Sequence, residues 1–335
     1  MSSSRIVAVA PGLGLAIGVT VLAVVVEWLE GELIGARYVD GLVIAILAGT
    51  LIHTLFGLDA RFAAGVQFAA KTLLEVAVVL LGGTISAAAL AQSGLALLVA
   101  VAAVVLLALT ASYLVARWLG LDERLATLVA CGNSICGNSA IMATAPVIDA
   151  PAEDVAASIA FTAALGIVVV VLLPLAFGVL GLTQWQYGVV AGLSVYAVPQ
   201  VLAATGPVGV MSTQVGTLVK LTRVLMLGPV VLFVGLRHGR KRLARMSFSL
   251  LLPWFIVGFV MMMAARSLGA LPDVTLPPLQ LASSHLTLLS MAALGLSVDL
   301  RTVLASGGRV LAAGLISILM LVGLAVLTAL ALPAS

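Results

Sequence analysis

Two clusters in this sequence carry polar chemistry inside otherwise apolar runs. The first is CGNSICGNSAI at 131–141, a tandem Cys-Gly-Asn-Ser-x repeat. Its glycines let the backbone leave a helix, and Asn and Ser favour caps over helix interiors. Asn138 or Ser139 can cap a half-helix running to about 148, whose free N–H groups and positive dipole end suit an anion. Asn133, Ser134, Gly137, Asn138 and Ser139 are therefore candidate binding residues. The competing account of the same residues is close helix packing, where Gly and Ser let neighbours approach. The second cluster is Lys220 and Arg223, three apart and so on one helix face. Arg grips a tetrahedral oxyanion bidentately, whereas Lys acts as a point charge. Gln200, one residue after Pro199, either donates into the same cavity or repairs backbone that the proline frees, and Tyr196 is similar. Glu75, Ser290 and Ser297 are candidates for additional polar lining. One carboxylate, Glu75, cannot neutralise two cations, so the surplus charge favours an anionic ligand over a structural ion pair.

Other chemistries lack their residues. Cys131 and Cys136 lie five apart, about 500° around a helix, and read as packing residues. No His-His or His-carboxylate spacing offers a metal site. No Ser/His or HExxH arrangement supports an enzyme, and no nucleotide-binding motif occurs. Neither cofactor nor metal is expected.

The elements that must position these residues are membrane helices. Of 335 residues, 63% are hydrophobic and only 9% charged, and mean hydropathy is +1.28. A soluble domain is roughly a quarter charged, so this chain has too little polar surface to solvate a globule. That excludes a soluble enzyme, a disordered chain and a nucleic-acid binder; the charge difference is only 16 − 13 = +3. A helix needs about 20 apolar residues to cross the bilayer core. Eleven segments qualify: 6–26, 41–57, 72–91, 94–117, 125–148, 155–181, 187–204, 209–236, 249–268, 279–298 and 309–332. With a cytoplasmic N-terminus, twelve Lys and Arg (Arg5, Arg61, Lys71, Arg117, Arg124, Arg237, Arg240, Lys241, Arg242, Arg245, Arg301, Arg309) fall inside, and two, Arg37 and Arg266, fall outside. The excess of positive charge inside sets the orientation and places the C-terminus outside. On the same count Asp149, Glu153 and Asp154 lie outside. Lys220 and Arg223 then sit roughly 17–21 Å from the outer end of their span, near the midplane.

The fold class expected is an all-α polytopic membrane protein, a single membrane domain over 1–335. Residues 1–40 form an extra first helix and loop, 41–181 one five-helix repeat, and 187–332 a second, inverted one. Gly, Asn, Pro and Ser interrupt the fifth segment (CGNSICGNS), the seventh (VPQVLAATGP) and the tenth (MAALGLS). Such backbone is tolerated only where it is buried in protein or lines a cavity. The fifth and tenth are fourth in their repeats, and corresponding broken helices in inverted halves point to a transporter site. Both are expected to be discontinuous and to cross near the midplane.

Three strings, LATLVACGNSICGNSAIMATAPVIDAPAEDVAASIA (125–160), GTLVKLTRVLMLGP (216–229) and LLSMAALGLSVDL (288–300), resemble the sulfate exporter family of bacterial inner-membrane proteins. Ile135, Cys136, Gly137, Ser139, Ala140 and Ile141 match its first signature, and Lys220, Thr222 and Arg223 its second. The resemblance runs from about 70 to 325. It implies a fold similar to sodium/proton antiporters and bile-acid symporters, with two crossed discontinuous helices framing the substrate. Where many members carry a His-acid pair, this sequence has Tyr196 and Ala197; if that pair carries protons in those members, this chain lacks the route. The implied function is export of a small anion, sulfate, sulfite or a related sulfur oxyanion, across the inner membrane by alternating access. The alternatives are a sodium/proton antiporter or a sodium-coupled organic-anion symporter on the same fold, with an intramembrane enzyme or receptor as a third class. Asn133 and Asn138, where a cation exchanger wants Asp, count against the antiporter. Expected partners are the anion, a coupling ion (proton or sodium), membrane lipids and a second copy in a homodimer, with no nucleic acid.

Overall fold

In the computed structural model, residues 3–34, 40–84, 94–238, 253–301 and 308–332 are described. Their regular structure is entirely helical. Among the described residues, seven helical stretches are long and apolar enough to cross a membrane: 8–32, 60–82, 95–118, 152–180, 210–237, 273–296 and 308–331. Two shorter apolar helices, Gly41–Phe56 and Trp254–Ser267, accompany them. The protein is a multi-pass membrane protein. Its chain separates into two compact units, one from 1–89 and 255–301, the other from 90–254 and 302–335.

The first unit contains α1 (Ser3–Ile34), α2 (Gly41–Phe56), α3 (Ala60–Phe68), a π turn at Ala69–Leu73 and α4 (Leu74–Gly82). It also holds α13 (Trp254–Ser267, from Phe255 on) and α14 (Leu276–Leu296). Asp40 caps α2 by accepting from the Leu42 N–H at 2.8 Å, and Asp59 caps α3 through Arg61 N–H. The tenth segment departs from expectation here. Helix α14 runs unbroken for 21 residues through MAALGL, so it is not a discontinuous helix. The small residues serve close packing instead. Ala292, Ala293 and Gly295 are buried, and a methyl group on Gly295 would collide with the Ile46 carbonyl of α2. Thr50 of α2 reaches the Gly295 carbonyl at 3.3 Å.

The second unit contains α5 (Gly94–Trp118), α6 (Glu123–Cys131), a π turn at Gly132–Cys136, α7 (Asn138–Thr144) and α8 (Ala152–Leu180). After these come α9 (Gln184–Ser194), α10 (Val198–Thr205), α11 (Val210–Leu225), α12 (Leu227–His238) and α15 (Gly308–Ala331). Here the fifth and seventh segments do something the sequence reading did not anticipate: they turn back. Arg124 at the start of α6 donates to the Asp149 carbonyl beyond α7 at 2.9 Å. A continuous helix would hold residues 25 apart ~37 Å from each other, far beyond an arginine's reach. Likewise Ser212 donates to the Gln184 carbonyl at 2.8 Å, and Tyr187 of α9 donates to the Ala204 carbonyl of α10 at 2.8 Å. The α6–α7 and α9–α10 segments are helical hairpins, not crossings.

Helix α8 fixes their relation. The first hairpin's open end leads into its N-terminus, and the second's follows its C-terminus, where Phe177 meets Tyr187 edge to face at 5.2 Å. Both tips reach the middle of this 29-residue helix. There Thr162 bonds the Asn138 side chain at 2.7 Å, and Gly166 leaves room for the Gln200 amide. The hairpins thus enter from opposite ends and meet tip to tip. Removing two crossings preserves the odd count, and no Lys or Arg lies between 125 and 219. The twelve-to-two charge split therefore could not have revealed the hairpins. Their presence does move Asp149, Glu153 and Asp154 to the end that bears Arg124.

Candidate functional site

Each tip is made by residues that stop a helix. At the first, the Gly137 N–H donates to Gly132 O at 2.8 Å, closing the π turn. Gly137 then takes φ 60°, ψ −124°, a conformation that only glycine adopts without strain. A methyl group there would lie 3.2 Å from Tyr196 Cβ at the opposite tip. At the second, Pro199 has no N–H and its ring would strike the carbonyl four residues back. That carbonyl is Val195 O, and the chain becomes extended at Val195 and Ala197 before α10 begins. The Gln200 side chain accepts from the Ala197 N–H at 3.1 Å.

Both interruptions strand carbonyls that a continuous helix would have satisfied. Lys220 and Arg223 of α11, both fully buried, take them. Lys220 Nζ donates to Ile135 O at 2.7 Å and Val195 O at 2.9 Å. The Arg223 guanidinium donates to Asn133 O at 3.1 Å, Ser134 O at 3.3 Å, Gly192 O at 3.0 Å and Val195 O at 3.1 Å. The pair caps the helix C-termini of both hairpins at once. Basic side chains suit this position because the C-terminal carbonyls carry partial negative charge.

The remaining candidates divide by location. Asn133 is buried and tied on both sides: its amide donates to Ser112 of α5 at 3.0 Å, and its oxygen accepts from Tyr196 OH at 2.9 Å. The Ser134 hydroxyl is buried without a hydrogen-bond partner among the described residues. Asn138 and Ser139 are exposed at the tip; the Asn138 oxygen accepts from Thr162, and Ser139 lies beside the Cys136 thiol. Asn133, Ser134, Gly137, Asn138, Ser139, Tyr196, Gln200, Lys220 and Arg223 are all in the second unit. Glu75, Ser290 and Ser297 belong to the first, where Ser290 and Ser297 bond carbonyls of their own helix end. Sequence reasoning missed Ser112 and Thr162, lone hydroxyls without a spacing signal. It also missed the role of the Val195 carbonyl, although a proline four residues on was a usable sign. Among the described residues, no group of three His, Cys, Asp or Glu can hold a metal.

Opposed half-length hairpins meeting inside an all-helical, apolar chain define a polytopic membrane protein with interrupted helices buried in protein. The chain belongs to the family described as Conserved hypothetical protein 698, whose model matches residues 11–314. A UPF0324 membrane protein of Brucella melitensis is 54% identical over 322 residues, covering 96% of this chain and 90% of that one. One from Agrobacterium fabrum is 50% identical over 311 residues, covering 93% and 90%. A more distant UPF0324 membrane protein of Bacillus cereus is 34% identical over 308 residues, covering 91% and 88%. No solved structure matches the chain.

Proposed function

We propose that the chain is a secondary transporter of a small anion, exporting sulfate, sulfite or a related sulfur oxyanion across the bacterial inner membrane by alternating access. The observation that carries this reading is the charge balance at the two tips. Two full cations meet two helix C-termini that carry about half a negative charge each, so about one positive charge is left over. Every acid in the second unit's sequence (Asp122, Glu123, Asp149, Glu153, Asp154) lies near the open end of the first hairpin. None is within the tips to balance the excess or to bind a transported cation, which weighs against a sodium/proton antiporter. Because Lys220 and Arg223 are engaged with carbonyls, they supply the field, while Asn138 and Ser139 are the exposed donors that touch the anion. On this reading the eleven segments make nine crossings and two hairpins, with the N-terminus in the cytoplasm and the C-terminus outside.

The test is a panel of oxyanions against the purified protein and Ser139→Ala. A bound ligand stabilises the state it binds, so sulfate or sulfite should raise the melting temperature of the parent and do so less for the variant. Reconstituted vesicles should take up the same anion. Absence of any stabilisation or uptake across the panel would sink the anion reading.

A further inference from the structure

We infer that the five carbonyl oxygens at the tips form a cation cage which the protein fills with its own cations, the Lys220 ammonium and the Arg223 guanidinium, so that no metal ion resides there. Asn133 O, Ser134 O and Ile135 O come from one hairpin, and Gly192 O and Val195 O from the other. Oxygens of this origin, at unwound turns and half-helix C-termini, are the ones with which transporters coordinate sodium ions. In this chain they point at nitrogen. Lys220 Nζ is bonded to one carbonyl from each hairpin, at 2.7 and 2.9 Å. An ammonium is a compact, rotatable point charge, the nearest side-chain equivalent of a small monovalent cation. Arg223 spans the remaining carbonyls and shares Val195 O with the lysine. Ser134, in the same turn, adds a buried hydroxyl oxygen that has no hydrogen-bond partner among the described residues, a group more typical of a cation's surroundings than of an apolar core.

Two consequences separate this from ordinary structural capping. A cage filled by a tethered cation does not respond to free ones, and a cage emptied of it does. For a transporter of the kind proposed above, sodium is then not the coupling ion at the tips.

The experiment measures melting of the purified full chain in sodium, potassium, methylammonium and tetramethylammonium chloride at fixed ionic strength, for the parent, Lys220→Ala and Lys220→Met. The parent is expected to melt alike in all four salts. Lys220→Ala is expected to melt earlier and to recover with increasing methylammonium or sodium but not with tetramethylammonium, which has no N–H to donate and is too large. Lys220→Met, which refills the space without charge, is expected to melt early in every salt. Sodium-specific stabilisation of the parent would overturn the inference, and that arm needs no variant to fold. So would a Lys220→Met protein as stable as the parent, or a Lys220→Ala protein indifferent to all four cations. None of these readings uses an oxyanion, so failure of the anion transport assay and failure of the cage are distinguishable.

Discussion

Arg223 and Ser139 answer different questions at the residue scale. Arg223 donates to four carbonyls in the interior of the second unit. Each buried carbonyl left without a donor costs about 1–3 kcal/mol, a large share of the 5–15 kcal/mol that holds a typical protein together. Arg223→Ala is therefore expected to yield little folded protein, seen as loss of the monodisperse peak in size-exclusion chromatography. Arg223→Lys should recover part of it, since the charge is kept but the planar fork that spans several oxygens is lost. A well-folded Arg223→Ala variant would show that other groups satisfy those carbonyls. From sequence alone, the surplus charge favoured Arg223 as an anion ligand over a structural charge; its structural role was hidden because the acceptors are backbone atoms and no residue type announces them. Asn133 and Asn138 make the same point. They occupy equivalent places in a tandem repeat, yet one is locked between Ser112 and Tyr196 and the other is exposed.

Turns and caps are where individual elements are decided. Gly137 combines a positive φ with a position where a methyl group would lie 3.2 Å from Tyr196 Cβ. Gly137→Ala should cost at least the 1–3 kcal/mol of a strained backbone residue and lower the melting temperature accordingly. Gly178, where a methyl group meets nothing, is the control; Gly178→Ala should be neutral or stabilising in its helix. At the start of α2, Asp40 is a cap whose carboxyl is pushed above its usual value of 3.8. Burial is the main cause and the nearby Glu27 adds to it, while the Leu42 N–H opposes it. A raised acid binds its proton more tightly when folded. Its stabilising contribution is thus full below pH 3.8 and is lost as the pH rises through the raised value. Asp40→Asn, which still caps, should flatten the pH dependence of melting over that window. Asp40→Ala should lose about 0.5–2 kcal/mol at every pH. A pH profile for Asp40→Asn matching the parent's would show that another group titrates there.

For the molecule as a whole, hydropathy marked an all-helical membrane chain but misjudged the path of two segments. Segments 125–148 and 187–204 are as long and apolar as a crossing, and nothing basic lies between them to register a reversal. The same small-residue vocabulary that ends a helix at CGNSICGNS packs one at MAALGLS. The difference lies in the partner: α14 meets the glycine face of α2, while the fifth segment meets Lys220 and Arg223. Side-specific labelling distinguishes the two paths. Cysteines placed at Glu123 and Glu153 should react with an impermeant maleimide from one side of the membrane. Those at Gln184 and Pro207 should react from the other. Eleven crossings would instead divide each pair across the bilayer.

The π turn at Gly132–Cys136 can also be seen as a screw carrying one surplus notch. A π turn holds one residue more than the α-helix around it, and each helical residue advances the thread by 1.5 Å and about 100°. Deleting Ile135 alone would let the thread run true. Gly137 would then reach the Gly132 carbonyl four residues back instead of five and keep its place opposite Tyr196, but the turn would have one carbonyl fewer to offer Lys220 and Arg223. The supply of carbonyls to the two basic side chains is set by residue count as much as by residue type. A single in-frame codon lost at this turn should therefore do more damage than most substitutions within it.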